Sequence, residues 1–560
     1  MSSLLPIHQA LISVFNKSEL LNFSRALFKQ GVCLISTEGT AHMLSNAGVT
    51  THPVSNYTKL PELMNGRVKT LHHKISAGIL NRKGIDDTIM HKYNIKPIDM
   101  IVVNFYPLNE ILKKNNNYDL DKMLNHIDIG GPNMVRAAVK NYKNKVVIID
   151  HNDYNNILSE MAIYNGSISL KTRFILAKKA FRYITQYDSA ILDYFNNDTL
   201  HKYLHQPVLN STHKYIHYSN KSPFPNTMNC MNLKFIKKQN MRYGENPHQR
   251  AALYQEAQYA QQKMIGTVIT SKQLQGKPLS YNNITDIDTA LECVKLFTQP
   301  TCVIVKHTNP CGVATAHTIN DAYHKAYQAD PISAFGGIIA FNQPLKDEKT
   351  AQSIINQHFI EAIIAPDINQ NCLQILSKKQ NIRVLKSGMW QNPNTSSLNI
   401  TNNNNIDFKK ISGGLLVQDY NQNCINDLQN LEIVTTTHPT DQEMQDLLFC
   451  WKIVKFVKSN AIVCGKNYQT TGIGTGQMNR VFAVKIATDL QPRHSSINVK
   501  GSVLASDAFF PFTDGIHVAA QMGIRGIIQP GGSIKDKEII NTANNYKIAM
   551  IFTHVRHFRH

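Results

Sequence analysis

Residues 301–312 read TCVIVKHTNPCG, and this stretch decides how the second half of the chain folds. Cys302 to Val305 is a continuous apolar, β-branched run, the composition of a strand covered on both faces. It ends in Lys306-His307. Asn309-Pro310-Cys311-Gly312 then reads as a turn, because proline fixes φ and glycine tolerates left-handed backbone. An ammonium and an imidazole are thereby held side by side at the mouth of a rigid strand. The imidazole can take or give a proton near neutral pH, and the lysine can supply positive charge or a proton. Such a pair is also common as a solvated strand end, so the surrounding motifs carry the decision.

Around this strand, 284–297 has helical spacing, with Ile287, Ala290, Leu291, Val294 and Phe297 on one face and Pro300 just beyond. It is expected to pack behind the strand. Upstream, 241–249 (MRYGENPHQ) is dense in polar side chains suited to a nucleotide. Downstream, 333–337 (SAFGG) leads into the apolar 338–341, and 458–463 reads KSNAIV. The glycines of 472–480 (GIGTGQMNR) lack the third position of the dinucleotide fingerprint. They let a backbone approach a ligand, with Arg480 supplying charge. Residues 505–515 (ASDAFFPFTDG) combine rings and carboxylates, a mixture that fits a flat heteroaromatic ligand or an ordinary core, and 529–533 (QPGGS) forms a final glycine-rich turn.

The N-terminal third has a different rhythm. A strand over 10–15 is followed by a helix capped by Asn16 or Ser18, with Leu20, Phe23, Leu27 and Phe28 on one side. A second strand, 32–36, runs into Thr37-Glu38-Gly39-Thr40. This alternation predicts a parallel α/β sheet with ligand-binding loops at the strand ends. The loops 15–17 and 37–40 both precede helix N-termini, which suit a phosphate. Residues 66–72 (GRVKTLH) add two cations and a hydroxyl. Strand 100–103 delivers Asn104, Phe105 and Tyr106; 127–133 (IDIGGPN) sets Asp128 beside a double glycine, and Arg136 and Lys140 follow at helical spacing. A strand at 145–150 and a helix at 171–195 complete this region.

At 560 residues the chain needs at least two cores. Residues 1–200 are expected to form one domain, the polar 201–232 a linker, and 233–560 a second domain with two subdomains split near 430–440. Residues 1–15 have no basic stretch before their apolar residues, so no signal peptide is expected there, and no apolar run is long enough to cross a bilayer. The nine scattered cysteines form no CxxC pair, which points to reduced thiols and a cytoplasmic location. The net charge of +20 is spread along the chain rather than clustered, so it argues weakly for nucleic acid.

In this order, MRYGENPHQ, VKHTNPCGV, DPISAFGGIIAF, FVKSNAIV and ASDAFFPF resemble the bifunctional purine-biosynthesis enzymes that join an inosine-monophosphate (IMP) cyclohydrolase to an aminoimidazole-carboxamide ribonucleotide (AICAR) formyltransferase. The likeness runs from about residue 10 to 560. It implies an α/β protein: an N-terminal methylglyoxal-synthase-like parallel domain, then a transformylase of duplicated cytidine-deaminase-like units. It also implies a homodimer, 10-formyltetrahydrofolate as co-substrate, no metal or redox cofactor, and no nucleic-acid or membrane partner. By the same resemblance His307 is the base of formyl transfer, and Lys306 stabilises the tetrahedral intermediate or protonates the leaving nitrogen. Arg242, Tyr243, Gly336, Glu361, Asn460 and Arg480 would hold AICAR, and Val481, Phe509, Asp514, Ser533, Ile534 and Arg556 the folate. Lys69, Tyr106, Asp128 and Lys140 would close the IMP ring, Lys140 as the proton donor or acceptor, with Lys17, Thr37, Gly39, Thr40, Arg67, Thr70 and Asn104 binding that nucleotide.

Two departures bear on ring closure. The usual Ser-Asp-Lys after the first strand is Phe15-Asn16-Lys17, and the usual Gly-Gly of the next loop is Glu38-Gly39. Glu38 is expected either to strain a glycine position or to repel a phosphate, at up to about 4 kcal/mol for a unit pair at ~4 Å. A side chain turned to solvent would cost little. His73 for a common proline and Tyr142 for a common histidine are milder changes. The alternative reading is therefore a transformylase whose cyclohydrolase site is impaired. A nucleic-acid binder, resting on charge alone, would show binding that falls steeply with salt.

Overall fold

Five short parallel strands form the sheet of the N-terminal unit, in the order His52–Pro53, Cys33–Ser36, Gln9–Val14, Met100–Asn104, Val146–Ile148. Their apolar runs are buried because helices cover both faces, as parallel strands require. The chain steps outward from Gln9–Val14 and then returns to add Met100–Asn104 on its other side. That reversal opens a crevice at the carboxyl ends of these two strands. The helix Leu20–Lys29 buries Leu20, Phe23 and Leu27 and leaves Phe28 exposed. Neither Asn16 nor Ser18 caps it. Glu19 occupies the cap position in left-handed backbone without a side-chain bond, while Asn16 Oδ1 accepts from the Ser18 N–H within the preceding loop.

The computed structural model describes residues 4–64, 66–106, 120–195, 233, 235–256, 266–357, 359–390, 406–421, 431–490, 493, 495 and 497–560. Its two units are Met1–Met231 and Asn232–His560. The expected linker, 201–232, lies outside the described residues. Among those described, no helix is long and apolar enough to cross a membrane.

The second unit is built on one twelve-stranded sheet whose order is a palindrome. From one edge run Lys272–Gln275, Arg383–Lys386, Ala362–Ala365, Ile338–Phe341, Thr301–Lys306 and Asn309–Thr315. From the other run Glu432–Ile433, Ala549–Phe552, Gly526–Gln529, Val503–Ser506, Ile462–Lys466 and Gln469–Gly474. In each half a hairpin sits innermost, flanked by three parallel strands and an antiparallel edge strand. The halves meet where Asn309–Thr315 runs antiparallel to Gln469–Gly474. This is the duplicated α/β arrangement that the motifs imply.

Thr301–Lys306 is buried on both faces, as expected. Val303 and Val305 join the core under the helices Tyr281–Val294 and Asp441–Val454, while Cys302 and Ile304 join the core under Ile319–Ala329. Each such buried aliphatic contributes about 1.5–3 kcal/mol. The turn, however, is not at 309–312. Lys306 pairs with Asn309, so His307 and Thr308 alone form the loop, with φ of 55° and 60°. Asn309–Thr315 is already strand. Pro310 is accommodated at a β-bulge, where its missing N–H does no harm. Gly312 serves close packing: a Cβ there would lie 2.0 Å from the Ala326 carbonyl oxygen.

Candidate active sites

In the N-terminal crevice the Asn104 side chain accepts the N–H groups of Phe15 and Asn16, at 2.7 and 2.9 Å, and donates to the Asn16 carbonyl. It is thus a latch between two strand ends. Across the same gap Phe15 meets Tyr106 edge-on at 4.8 Å, and Tyr106 stacks on His126 at 4.3 Å. Thr37 precedes the helix Glu38–Asn46, whose first turn therefore contains Glu38, Gly39 and the buried Thr40. Lys17 Nζ reaches the Gly39 carbonyl at 3.4 Å.

Asp128 is fixed from three directions. Its Oδ1 accepts the Gly131 N–H at 2.9 Å, its own N–H donates to the Tyr187 hydroxyl at 2.7 Å, and Lys69 lends positive charge. Burial nevertheless pushes its carboxyl above the ordinary range, against the Gly131 and Gly130 N–H groups and Lys69. Lys69 is held by Glu62 at 3.3 Å. Thr70 packs on Gly130, where a Cβ would come within 2.3 Å of its hydroxyl, and Arg67 bonds Asn125. The fold therefore gathers Lys69, Thr70 and Asp128 at the start of the helix Gly130–Lys140. Lys140 is exposed at that helix's far end, about 15 Å along its axis. Glu62, His126 and Tyr187 were not singled out from sequence. Only the aromatic-rich run of 171–195 hinted at the last.

Glu38 proves unstrained. It lies in the first helical turn, exposed, without left-handed backbone, and a Cβ on neighbouring Gly39 meets nothing within 4 Å. A carboxylate there favours the helix dipole by about 0.3–1 kcal/mol. Glu38→Gly should therefore lower the melting temperature slightly while changing the KM for formyl-AICAR less than about tenfold; a raised melting temperature would reveal strain after all.

In the second unit Lys306 Nζ donates to the Phe335 carbonyl at 2.7 Å, beside Gly336 (φ 72°), whose N–H bonds the Phe359 carbonyl. The exposed His307 crowns the two-residue turn. Two successive non-glycine residues in left-handed backbone cost about 1–2 kcal/mol each, so the turn needs partners. Asp286, on the helix behind, supplies them: its Oδ1 accepts the Thr308 N–H at 2.7 Å, and the His307 N–H also bonds it. Burial raises this carboxyl, while those N–H groups and the charges of His307 and Lys458 oppose the rise.

The strand directions place the remaining candidates on one edge of the sheet. Thr301–Lys306 ends beside the beginnings of Ile338–Phe341 and Ala362–Ala365, hence Gly336 and Glu361. The seam brings in the end of Gln469–Gly474, the beginning of Ile462–Lys466 and the carboxyl ends of Val503–Ser506, Gly526–Gln529 and Ala549–Phe552. After those ends come Phe509, Ser533, Ile534 and Arg556. Asp536 Oδ2 accepts the Gly532 and Ser533 N–H groups, Ile534 is fully exposed, and Arg556 lies over Phe558 at 4.3 Å. Phe509 and Phe512 are partly open, whereas Phe510 is core. Asp514 is exposed in the first turn of Asp514–Gln521.

Two candidates differ from their expected use. Arg480 is 6% exposed and pairs with the fully buried Asp507; it also bonds Ser506 and, at 2.7 Å, the Asn460 carboxamide. Its charge is neutralised internally, and it orients Asn460, which in turn donates to the Gln477 carbonyl. Val481 follows it, held by Asn479 Oδ1. Glu361 is paired with Arg383. Arg242 lies over the Tyr243 ring at 5.7 Å, in a loop tied to the helix Tyr281–Val294 through Asn282 and the Glu245 carbonyl.

A doubly wound unit with a hydroxyl- and cation-lined crevice, together with a duplicated sheet bearing a Lys-His turn, gives the chain two candidate reaction centres, the layout of a two-activity enzyme. Residues 138–490 match the family model described as AICARFT/IMPCHase bienzyme, and 19–133 match an MGS-like domain. The chain belongs to the AICARFT/IMPCHase bienzyme family, whose members carry out folate-dependent formyl transfer to AICAR and IMP ring closure. Among solved structures, a crystal structure of ForH is 29% identical over 34% of this chain and 99% of its own, with a TM-score of 0.31.

Proposed function

We propose that the edge of the twelve-stranded sheet around Lys306-His307 transfers the formyl group of 10-formyltetrahydrofolate to the amine of AICAR, and that the N-terminal crevice closes formyl-AICAR to IMP. The observation that carries the first half is the turn itself, which sets an imidazole and an ammonium at one rigid point. The AICAR amine is a poor nucleophile on an electron-poor ring. As its nitrogen attacks the formyl carbon, His307 takes the proton, and Lys306 stabilises the oxyanion or protonates the departing folate nitrogen. Arg242, Tyr243, Gly336 and Asn460 would hold the nucleotide, with Arg480 and Glu361 acting through Asn460 and Arg383. Val481, Phe509, Asp514, Ser533, Ile534 and Arg556 would take the folate.

For ring closure the carboxamide nitrogen attacks the formyl carbon and water leaves. Asp128 and Lys69 are the proton-handling pair, with Tyr106 at the crevice wall and the 37–40 turn, Lys17, Arg67 and Thr70 receiving the nucleotide; Lys140 would act only if substrate reaches the far helix end. A homodimer is supported by exposed apolar side chains beside the folate loops, Met478, Phe482, Phe512 and Ile534. The isolated hairpin Ile406–Ile411 with Gly414–Asp419, which exposes Ile411, Leu415 and Leu416, also favours a partner surface. The test is a time course of the full chain with AICAR and 10-formyltetrahydrofolate. Formyl-AICAR followed by IMP is expected; formyl-AICAR that never becomes IMP would reject the second half.

A further inference from the structure

The palindrome repeats a detail no motif announced. In the second half the hairpin loop is Asn467-Tyr468, again with both φ positive, and Asp446 on the helix Asp441–Val454 accepts both of its N–H groups, at 2.9 and 2.8 Å. Asp286 stands at the corresponding position of Tyr281–Val294. An aspartate cap is thus how this fold holds its inner hairpins. The first half adds a second clamp that involves Asn309. The Asn309 amide donates to the His307 carbonyl at 3.0 Å, while its Oδ1 accepts the Lys458 N–H at 2.9 Å and the Thr475 hydroxyl at 2.8 Å. The turn is therefore gripped on its N–H side by Asp286 and on its carbonyl side by Asn309, which also docks it onto the loop leading to Asn460.

We propose that Asp286 and Asn309 are positioning residues of the formyl-transfer centre, fixing the left-handed turn so that the His307 imidazole is aimed at the reacting amine beside Asn460. The inference rests on the reading of His307 as base. Neither residue touches substrate; both act through the turn. Misplacing a catalytic group by about 1 Å costs ~10²-fold in rate, and that is the effect expected. Asp446 is the internal control: its turn, preceded by Lys466 as the other is by Lys306, carries no imidazole and lies at the opposite edge of the sheet.

The test uses the full chain, with kcat and KM for AICAR in formyl transfer, cyclisation of supplied formyl-AICAR as a separate activity, and thermal melting. Asp286→Ala should lower the transformylase kcat ~10²-fold with KM changed less than about threefold, and leave cyclisation intact. In a His307→Ala background the same change should cost less than about threefold more, because the group being positioned is gone. Asp446→Ala should lower the melting temperature but keep kcat within about threefold. If Asp286→Ala does not fold, Asn309→Ala alone and in the His307→Ala background completes the same cycle. Losses that multiply in the double variant, a kcat unharmed by Asp286→Ala, or an equal kcat loss from Asp446→Ala would overturn the inference. A His307→Ala protein with undiminished transfer would instead reject the underlying reading, so the two failures are told apart.

Discussion

Replacing His307 by alanine is expected to slow formyl transfer to AICAR about 10³-fold while cyclisation of supplied formyl-AICAR continues at the parent rate. General bases contribute ~10²–10⁴-fold, and here the base is asked to deprotonate an unusually weak nucleophile. The side chain is exposed and its turn is held by backbone bonds to Asp286 and Asn309, so truncation should leave the hairpin standing. The measurement is transformylase kcat/KM beside a melting curve. Full transfer by a folded His307→Ala protein would remove the base from the mechanism.

Asp128→Asn is expected to slow ring closure ~10²-fold and leave formyl transfer untouched. Asparagine preserves an acceptor for the Gly131 N–H, so the helix start survives, but the negative charge that faces Lys69 is lost. The pH dependence has a definite sign. Because burial raises the Asp128 carboxyl, it becomes protonated on acidification sooner than an exposed aspartate would. Cyclisation by the parent protein should thus decline at a pH above the usual carboxylate range, and Asp128→Asn should lose that limb. A parent-like rate in the variant would show that the carboxylate takes no part.

Much of this arrangement was legible from residue types. The apolar run 302–305 was recognisably a strand with two covered faces because nothing in it could face water. The strand–helix alternation of the first fifty residues predicted the parallel sheet because a helix between successive strands returns the chain to the same end. The position of the turn was not legible. Proline and glycine are local signals, and here Pro310 fills a bulge and Gly312 admits the Ala326 carbonyl, while a His-Thr pair makes the loop because pairing across the hairpin and the Asp286 carboxylate compel it. The aspartate caps were equally invisible, since an aspartate within a helix carries no mark of the hairpin it will meet. Arg480 illustrates the converse: its charge was legible, but its burial against Asp507 depends on a residue 27 positions later. For Glu38 the choice between strain and a side chain turned to solvent was not legible, because the sequence does not reveal that the helix begins one residue after Thr37.

The most direct measurement is a structure of the full chain with AICAR bound. The amine nitrogen should lie about 3 Å from the His307 imidazole, at the sheet edge shared with Asn460 and Gly336. A nucleotide bound instead at the opposite edge, beside Asn467-Tyr468, would contradict the assignment of the Lys306-His307 turn as the formyl-transfer centre.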